Sequence, residues 1–230
     1  MATDSLSFRL APPRSVNGHP AVDQHAVQFY EQDEFLLEGV ARFVAAGISD
    51  GDSSIVIATK AHRTDLETRL VRRGFDLNAA RRRGSYIALD AADTLSKVMD
   101  GDQPDMAKFE QVVGALIERA MQGPPLRRVR AFGEMVALLW ADGKPTAAIE
   151  LERLWNELAT RHAFSLLCGY PMRVFAGATH EGGFRSVSDA HAHVAPTESY
   201  LELDPDERLR AVARLQQRVS ALEAELAARG

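Results

Sequence analysis

The stretch RVRAFGEMVALLW, residues 128–140, joins two hydrophobic patterns at one acidic residue. Before Glu134 the apolar and polar residues alternate, which predicts a strand, and after it an apolar run predicts a helix. A strand that passes directly into a helix is the repeating unit of a parallel α/β sheet. The pattern therefore predicts that Glu134 lies where a strand ends, the edge at which ligands gather in such sheets.

The same alternation of strands and helices extends through the middle of the chain. The other predicted strands are Ser53–Ala58, Ser85–Asp90 and Phe164–Tyr170. Predicted helices include one around Leu36 that stops at Gly47, one opened by a capping box at Thr64–Glu67, and others over 91–99, 104–123, 134–143 and 145–163. This order predicts a mostly parallel sheet with helices on both faces.

Composition restricts the class of protein. The 230 residues carry a formal net charge of -5, which gives no sign of a nucleic-acid-binding surface. A single cysteine, Cys168, allows no intramolecular disulfide and suits a reducing cytoplasm. No apolar run reaches the length of a membrane span or a signal peptide, so a cytoplasmic protein is predicted. Residues 1–20 are rich in Pro, Ser and Gly and are predicted to be mobile.

Nucleotide chemistry is not supported by the motifs. The segment TKAHRT, residues 59–64, follows the first predicted strand but contains none of the glycines of a phosphate loop, so ATP binding is not expected and a cofactor is not identified. Lys60, His62, Arg63 and Thr64 still form a candidate anion site ahead of a helix. The alternative is an exposed, charged loop.

No metal-binding pattern is evident either. His191 and His193 stand two residues apart, and on a helix they would point to different faces. Cys168 and His162 have no partners at zinc-site spacing, so no metal site is predicted. Cys168 also falls in an apolar strand, where burial makes a thiol inert, and no nucleophile elbow is present. The sequence therefore predicts no catalytic residue.

The C-terminal segment has a different pattern. Its apolar residues occupy the a and d positions of a heptad and are called here the apolar stripe: Val212, Leu215, Val219, Leu222 and Leu226. The stripe covers about two heptads. It predicts a dimeric coiled coil, with an amphipathic helix packed on its own domain as the alternative.

Five ordered segments together resemble a known family: HAVQFYEQDEFLLEGVARFVAAGISDGDSSIVIAT, LDAADTLSKVMDGDQPD, RVRAFGEMVALLWADG, AAIELERLWNELA and FSLLCGYP. The family is MEDS, the sensory domain of methanogen and methylotroph proteins and of the dichloromethane-responsive regulator. The resemblance covers roughly residues 20–196 and implies a three-layer RecA/KaiC-like core that senses small molecules, including hydrocarbon derivatives. Such domains occur alone, beside DNA-binding domains, or in front of histidine kinases. By position, Glu134 lies near the catalytic glutamate of a KaiC-like ATPase.

These observations predict three parts: a mobile segment at 1–20, a MEDS-like sensory domain at 21–196, and a coiled-coil signalling helix at 197–230. The predicted function is non-catalytic sensing of a small molecule, relayed by a homodimer to a histidine kinase or to a transcription or sigma-factor regulator, without direct contact to nucleic acid or membrane. The predicted ligand contacts are His25, Tyr30, Arg130, Phe132, Glu134, Trp155 and Tyr170, with Trp140 as a further aromatic wall.

Several alternatives remain open. Trp140 and Trp155 could be core residues on amphipathic helices. Glu134 could act as a base, bind a ligand, or stabilise the start of the following helix. The protein could instead be a degenerate nucleotide-binding ATPase that uses Lys60, His62 and Thr64 with Glu134, or a pure protein-interaction module.

Overall fold

The computed structural model describes residues 25–123, 127–175 and 182–227. The predicted mobile segment at 1–20 lies outside these ranges. The strands are β1 (His25–Tyr30), β2 (Ser53–Ala58), β3 (Tyr86–Asp90), β4 (Met99–Asp100), β5 (Gln103–Pro104), β6 (Val129–Gly133), β7 (Phe164–Pro171) and β8 (His193–Ala195).

The α-helices, in chain order, are α1 (Asp33–Asp50), α2 (Lys60–Arg72), α3 (Leu77–Arg82), α4 (Ala91–Val98), α5 (Met106–Phe109), α6 (Ala115–Met121), α7 (Met135–Ala141), α8 (Pro145–Ala159), α9 (Gly183–Asp189), α10 (Glu198–Glu202) and α11 (Pro205–Ala227). A π-helical segment, Glu110–Gly114, joins α5 to α6, so the long helix predicted over 104–123 is continuous but changes its winding. A 3₁₀ turn, Met172–Phe175, follows β7.

Six strands form one sheet in the order β3-β2-β6-β7-β1-β8. Every pairing in this sheet is parallel, and β4 and β5 form a separate small antiparallel ladder. The predicted parallel α/β sheet is confirmed. All six residues of β2 are buried, as expected for an inner strand covered on both faces.

Helices cover both faces, which gives three layers. The core on one side contains residues of α1, α2 and α3, and the core on the other side contains residues of α4 to α9. The two cores are separate because successive strand residues point to opposite faces of the sheet. The predicted architecture with helices on both faces is therefore confirmed. Along the described ranges, every helix is too short or too polar to cross a lipid bilayer.

Strand β1 is absent from the predicted strands, although it is an inner strand between β7 and β8. The buried glutamine Gln28 interrupts its apolar run, and that side chain donates to the carbonyl oxygens of Phe29 and Pro196. With β1 in place, the first strand-to-helix turn is Glu31–Gln32 rather than the segment at 59–64. This turn also lacks glycine.

The predicted end of the first helix at Gly47 is wrong. Helix α1 continues to Asp50, and Gly51 ends it with a left-handed φ of 80°. Gly47 has a different role, because a Cβ there would lie 2.8 Å from Ser54 Oγ and 2.9 Å from Arg130 Cδ. The glycine therefore allows α1 to approach the sheet closely.

The predicted start of the second helix is also wrong. Helix α2 begins at Lys60, and the Thr59 hydroxyl accepts a hydrogen bond from the His62 backbone N–H at 3.3 Å. Thr64 lies inside the helix and donates its hydroxyl to the Lys60 carbonyl oxygen. Thr59 takes the capping position because it follows β2 directly, so the capping-box pattern at Thr64–Glu67 starts no helix.

The C-terminal helix α11 exposes the apolar stripe. The exposed fractions are 38% for Val212, 61% for Leu215, 53% for Val219 and 52% for Leu222. The side chain of Leu226 lies outside the described residues. Since these described side chains are exposed, they do not pack on the domain of their own chain.

Candidate functional site

The carboxyl ends of β2 and β6 bring Glu134 to the start of α2. Ile57 of β2 pairs with Gly133 of β6, so the residues that follow the two strands lie side by side. Glu134 is 3% exposed, and its Oε2 accepts a hydrogen bond from the Thr59 backbone N–H at 2.8 Å. The carboxylate therefore satisfies a backbone donor next to α2 rather than the N–H groups of α7, which Glu134 itself precedes.

His62 binds the other oxygen of Glu134. Its Nδ1 hydrogen-bonds to Glu134 Oε1, and its Nε2 lies 3.4 Å from Asp33 Oδ2 at the start of α1. The hydrogen bond to Glu134, together with the nearby Asp33 charge, raises the pKa of His62 above its ordinary value, against the opposite effect of burial. We call His62 and Glu134 the carboxyl-edge pair.

Replacing His62 with glutamine is expected to remove a pH-dependent part of the stability. Since the folded state raises the pKa of His62, the stabilisation is complete below the unfolded value of about 6.5 and is lost as the pH rises through the folded value. The expected difference is about 1 kcal/mol. Urea unfolding on both sides of this range measures it.

His193→Gln provides the control for this measurement, because it changes an exposed histidine of β8 that does not contact the carboxyl-edge pair. The two variants and the parent chain are compared at the same pH values. An unchanged pH dependence in His62→Gln would show that the carboxyl-edge pair does not stabilise the fold.

The rest of the predicted anion site is largely occupied by other contacts. Arg63 donates to Asp90 Oδ2 at 2.8 Å and to the Ala58 carbonyl oxygen at 3.2 Å. Thr64 is bound to the Lys60 backbone, and the Lys60 side chain is exposed. The four residues therefore share one end of the sheet, where Lys60 and Thr64 are exposed and Thr64 is bound to the Lys60 carbonyl oxygen.

The seven predicted ligand contacts do not lie at one place. His25 and Arg130 are at the amino ends of their strands, opposite to Glu134. Arg130 donates to Asp50 at 2.7 Å and to Asp52 at 3.0 Å, so its charge is already paired. Tyr30 stays at the carboxyl edge, where burial and the nearby Glu134 carboxylate raise its pKa.

The predicted aromatic walls are core residues. Phe132 is fully buried in the α1–α3 core. Trp155 is 1% exposed and packs edge-on against Phe109, with ring centroids 5.1 Å apart. Trp140 is 4% exposed and its ring lies 5.0 Å from that of Phe175. These positions agree with the alternative that the aromatic side chains pack in the core.

A second polar cluster lies between the sheet and α8 and was not predicted. It contains His25 of β1, Glu152 of α8, Cys168 of β7 and His191 after α9, and we call it the buried tetrad. All four residues are at most 8% exposed. One nitrogen, oxygen or sulfur atom from each lies within 4.8 Å of the others.

The distances inside the buried tetrad are short. His25 Nε2 lies 3.2 Å from Glu152 Oε2 and 3.3 Å from Cys168 Sγ. Glu152 Oε2 lies 3.7 Å from Cys168 Sγ, and Glu152 Oε1 lies 3.5 Å from His191 Nε2. Tyr170 donates its hydroxyl to Glu152 Oε1 at 2.7 Å.

The protonation of the buried tetrad follows from its surroundings. Burial would raise the pKa of Glu152, but the hydrogen bond from His25 and the charge interaction with His191 hold it below its usual range. Burial raises the pKa of the Cys168 thiol and lowers that of His191. The chain alone therefore places an ionised carboxylate beside a neutral thiol.

No sequence motif marks the buried tetrad, because its members come from four separate elements. Val27 pairs with Cys168, which places His25 and Cys168 on one face of adjacent strands. One signal was available: Glu152 occurs on the buried stripe of α8, four residues after Ala148. His191 and His193 are not on a helix, but only His191 is buried.

Together, the parallel sheet, its helices on both faces and the polar groups at its edge define a three-layer α/β domain followed by a C-terminal helix. Residues 24–186 match the family MEDS, the MEthanogen/methylotroph, DcmR Sensory domain. The chain therefore belongs to this family of sensory domains, as its five segments predict. No curated protein sequence matches the chain.

Among solved structures, the chain is similar to a KaiC-like protein of the hyperthermophilic archaeon Pyrococcus horikoshii OT3. The TM-score is 0.46 at 13% sequence identity, and the match covers 73% of this chain and 70% of that chain.

Proposed function

We propose that this chain is a non-catalytic sensory domain that binds a small molecule at the carboxyl edge of its sheet and relays the bound state through a dimeric α11. Membership of the MEDS family supports the sensory role. The observation that carries the relay is a set of contacts between the carboxyl edge and residues 196–204, which we call the connector because they lead into α11.

Glu198 of the connector binds the first turn of the domain. Its carboxylate accepts hydrogen bonds from the backbone N–H groups of Glu31 at 3.0 Å and Gln32 at 2.5 Å. These N–H groups directly precede α1, and a negative charge there is favoured by the partial positive charge of the helix N-terminus. Ser199 also donates to Glu31 Oε1 at 2.5 Å.

A second contact holds the start of the connector to the sheet. The Gln28 amide of β1 donates to the Pro196 carbonyl oxygen at 3.0 Å. The connector therefore contacts both the strand and the turn that follows it. A bound small molecule can be signalled only if it favours one arrangement of these contacts over another. The contacts between the carboxyl edge and the connector support such a relay to α11.

Two contacts favour sensing over nucleotide hydrolysis. A nucleotide would need the backbone N–H groups of the Glu31–Gln32 turn to bind its phosphates. In this structure those groups already donate to the Glu198 carboxylate. Glu134 is bound by His62 and by the Thr59 N–H, so its carboxylate is not open to a substrate water.

The exposed apolar stripe on α11 supports the dimer. The partner is a histidine kinase, or a transcription or sigma-factor regulator.

Replacing Glu198 with alanine is expected to release the connector. The change removes both acceptors of the Glu31 and Gln32 N–H groups and should lower stability by about 1 kcal/mol, as for loss of a helix cap. Hydrogen exchange at these two residues should become faster. Glu202→Ala is the matched control, since it removes the same charge from an exposed position of the same helix.

The ligand proposal is tested by thermal-shift and calorimetric screens of small halogenated, aromatic and redox-active metabolites, beside ATP with magnesium. A saturable ligand should change hydrogen exchange in the connector of the parent chain, and this response should be lost in Glu198→Ala but kept in Glu202→Ala. A shift with ATP that disappears in Lys60→Ala would overturn sensing in favour of nucleotide binding. If no compound in either panel binds, the result would favour a protein-interaction module.

A further inference from the structure

We propose that the buried tetrad, His25, Glu152, Cys168 and His191, is a binding site for one divalent transition-metal ion of the zinc type. Two imidazoles, a thiolate and a carboxylate are the ligand types that zinc takes in proteins. The proposal rests on the geometry of the tetrad and is independent of the ligand proposed for the carboxyl edge.

The spacing of three ligand atoms of the tetrad fits tetrahedral coordination, and the fourth ligand lies beside them. Zinc binds nitrogen and oxygen at about 2.0–2.1 Å and sulfur at about 2.3 Å, which places two ligands of a tetrahedron roughly 3.3 to 3.6 Å apart. His25 Nε2, Glu152 Oε2 and Cys168 Sγ lie 3.2, 3.3 and 3.7 Å from one another. These three atoms are thus separated about as three ligands of one ion are, and a ligand atom of His191 lies within 4.8 Å of one from each of the other residues.

Both imidazoles turn their Nε2 toward the centre, because the Nδ1 of each faces an oxygen atom. The Nδ1 of His191 lies 2.6 Å from the Val187 carbonyl oxygen, which can only accept, so Nδ1 carries the proton. The Nδ1 of His25 lies 2.9 Å from Asn156 Oδ1, and Asn156 Nδ2 donates to the Ala190 carbonyl oxygen, which fixes the orientation of the amide. Metal-binding histidines are held in this way by oxygen acceptors on the second nitrogen.

His191 also supplies an orphaned atom. Its Nε2 is buried and has no hydrogen-bond partner among the residues that the structure describes. The nearest charged atom is Glu152 Oε1 at 3.5 Å. A neutral imidazole nitrogen and a carboxylate oxygen are both acceptors, so they attract each other only when a cation or a proton lies between them.

The charge balance of the buried tetrad also supports a bound cation. Glu152 is completely buried, and none of its described hydrogen-bond or ion-pair partners is a lysine or an arginine. A buried carboxylate needs a compensating charge. When the ion binds, the Cys168 thiol releases its proton to solvent and the sulfur bonds to the metal. One dication, one thiolate, one carboxylate and two neutral imidazoles then sum to zero.

A cavity adjoins the site at His25. A cavity of about 140 Å³ reaches His25 from the amino edge of the sheet and is lined by Asn156, Phe164 and Ala192 among others. His25 is itself 8% exposed. Tyr170 closes the opposite side by donating to Glu152.

Zinc and cobalt titrations of the intact chain, first treated with a chelator, test the proposal. We expect one zinc ion per chain after dialysis, an increase in Tm, and weaker binding at lower pH because the thiol must lose a proton. Cobalt should give the near-ultraviolet band of a thiolate-bound ion together with the visible bands of tetrahedral cobalt. A stoichiometry near zero, or a cobalt spectrum without the thiolate band, would overturn the proposal in the unaltered chain.

Three variants assign the ligands. Cys168→Ser keeps the shape of the side chain and should remove the thiolate band. Loss of a residue that only hydrogen-bonds to a metal ligand typically weakens metal binding about 10- to 100-fold, and loss of the Cys168 ligand should weaken zinc binding more than that. Asn156→Ala removes such an outer partner and should weaken binding within that range. His193→Ala changes an exposed imidazole two residues from His191 and should leave binding unchanged. Zinc binding equal to the parent in Cys168→Ser, or lost in His193→Ala, would contradict the site.

Discussion

Replacing Leu215 and Leu222 with alanine is expected to convert a dimer of this chain to monomers. Both side chains are more than half exposed in the single chain, at 61% and 52%. Burial in a coiled coil contributes about 0.8 kcal/mol per CH₂ group, and a dimer contains four of these leucines. Even partial burial at roughly 1 kcal/mol per leucine weakens the dimer about 1000-fold. Sedimentation across a concentration series measures the change.

Two features of this experiment separate the dimer from simpler explanations. Alanine has a higher helix propensity than leucine, so the substitutions do not lower the intrinsic tendency of α11 to be helical. Arg210→Ala with Gln217→Ala changes the outer face of the same helix, away from the apolar stripe, and should leave the dimer intact. An unchanged dimer after both leucine substitutions would place the interface in the globular domain.

Replacing Trp155 with alanine is expected to lower the free energy of unfolding by about 3–5 kcal/mol. The side chain is 1% exposed and packs against Phe109 and Phe164, with ring centroids 5.1 Å and 5.9 Å away. For a chain of this size the loss corresponds to a fall in Tm of roughly 6 to 20 °C. Chemical and thermal unfolding measure both quantities.

Trp155→Phe is the companion variant, because it keeps an aromatic ring and should lose much less stability. If Trp155 were instead a ligand wall, the alanine variant would keep its stability and lose its response to the small molecule. A change in unfolding free energy below about 1 kcal/mol would therefore contradict the core role.

Much of the architecture could be predicted from the sequence because it depends on local periodicity. The β-branched run Ser53–Ala58 and the apolar run Phe164–Tyr170 are strands in the structure, within one residue of their predicted ends. Pro145 begins α8 as its position predicts. Strand β1 was missed because the buried Gln28 and His25 make it look polar, and their partners are far away along the chain.

The candidate sites were only partly predictable. The end of β6 correctly placed Glu134 at the carboxyl edge, since alternation alone gives the strand boundary. Its partner His62 was assigned to anion binding, because nothing in the sequence indicates which loop lies beside Glu134. The parallel register of β2 and β6 brings them together. Arg130 and Glu134 are near in sequence but lie at opposite ends of β6, because an extended strand rises about 3.3 Å per residue.

The sequence by itself determined the alternation of strands and helices, the membership of the family and the apolar stripe of α11. Each of these features depends on residues that are neighbours along the chain. Tertiary structure alone decided the carboxyl-edge pair, the contact of Glu198 with the first turn, and the buried tetrad. These depend on the order of parallel strands and on the position of α8 across the sheet. His25 and His191, at opposite ends of the domain sequence, thereby meet with ring centroids 4.0 Å apart.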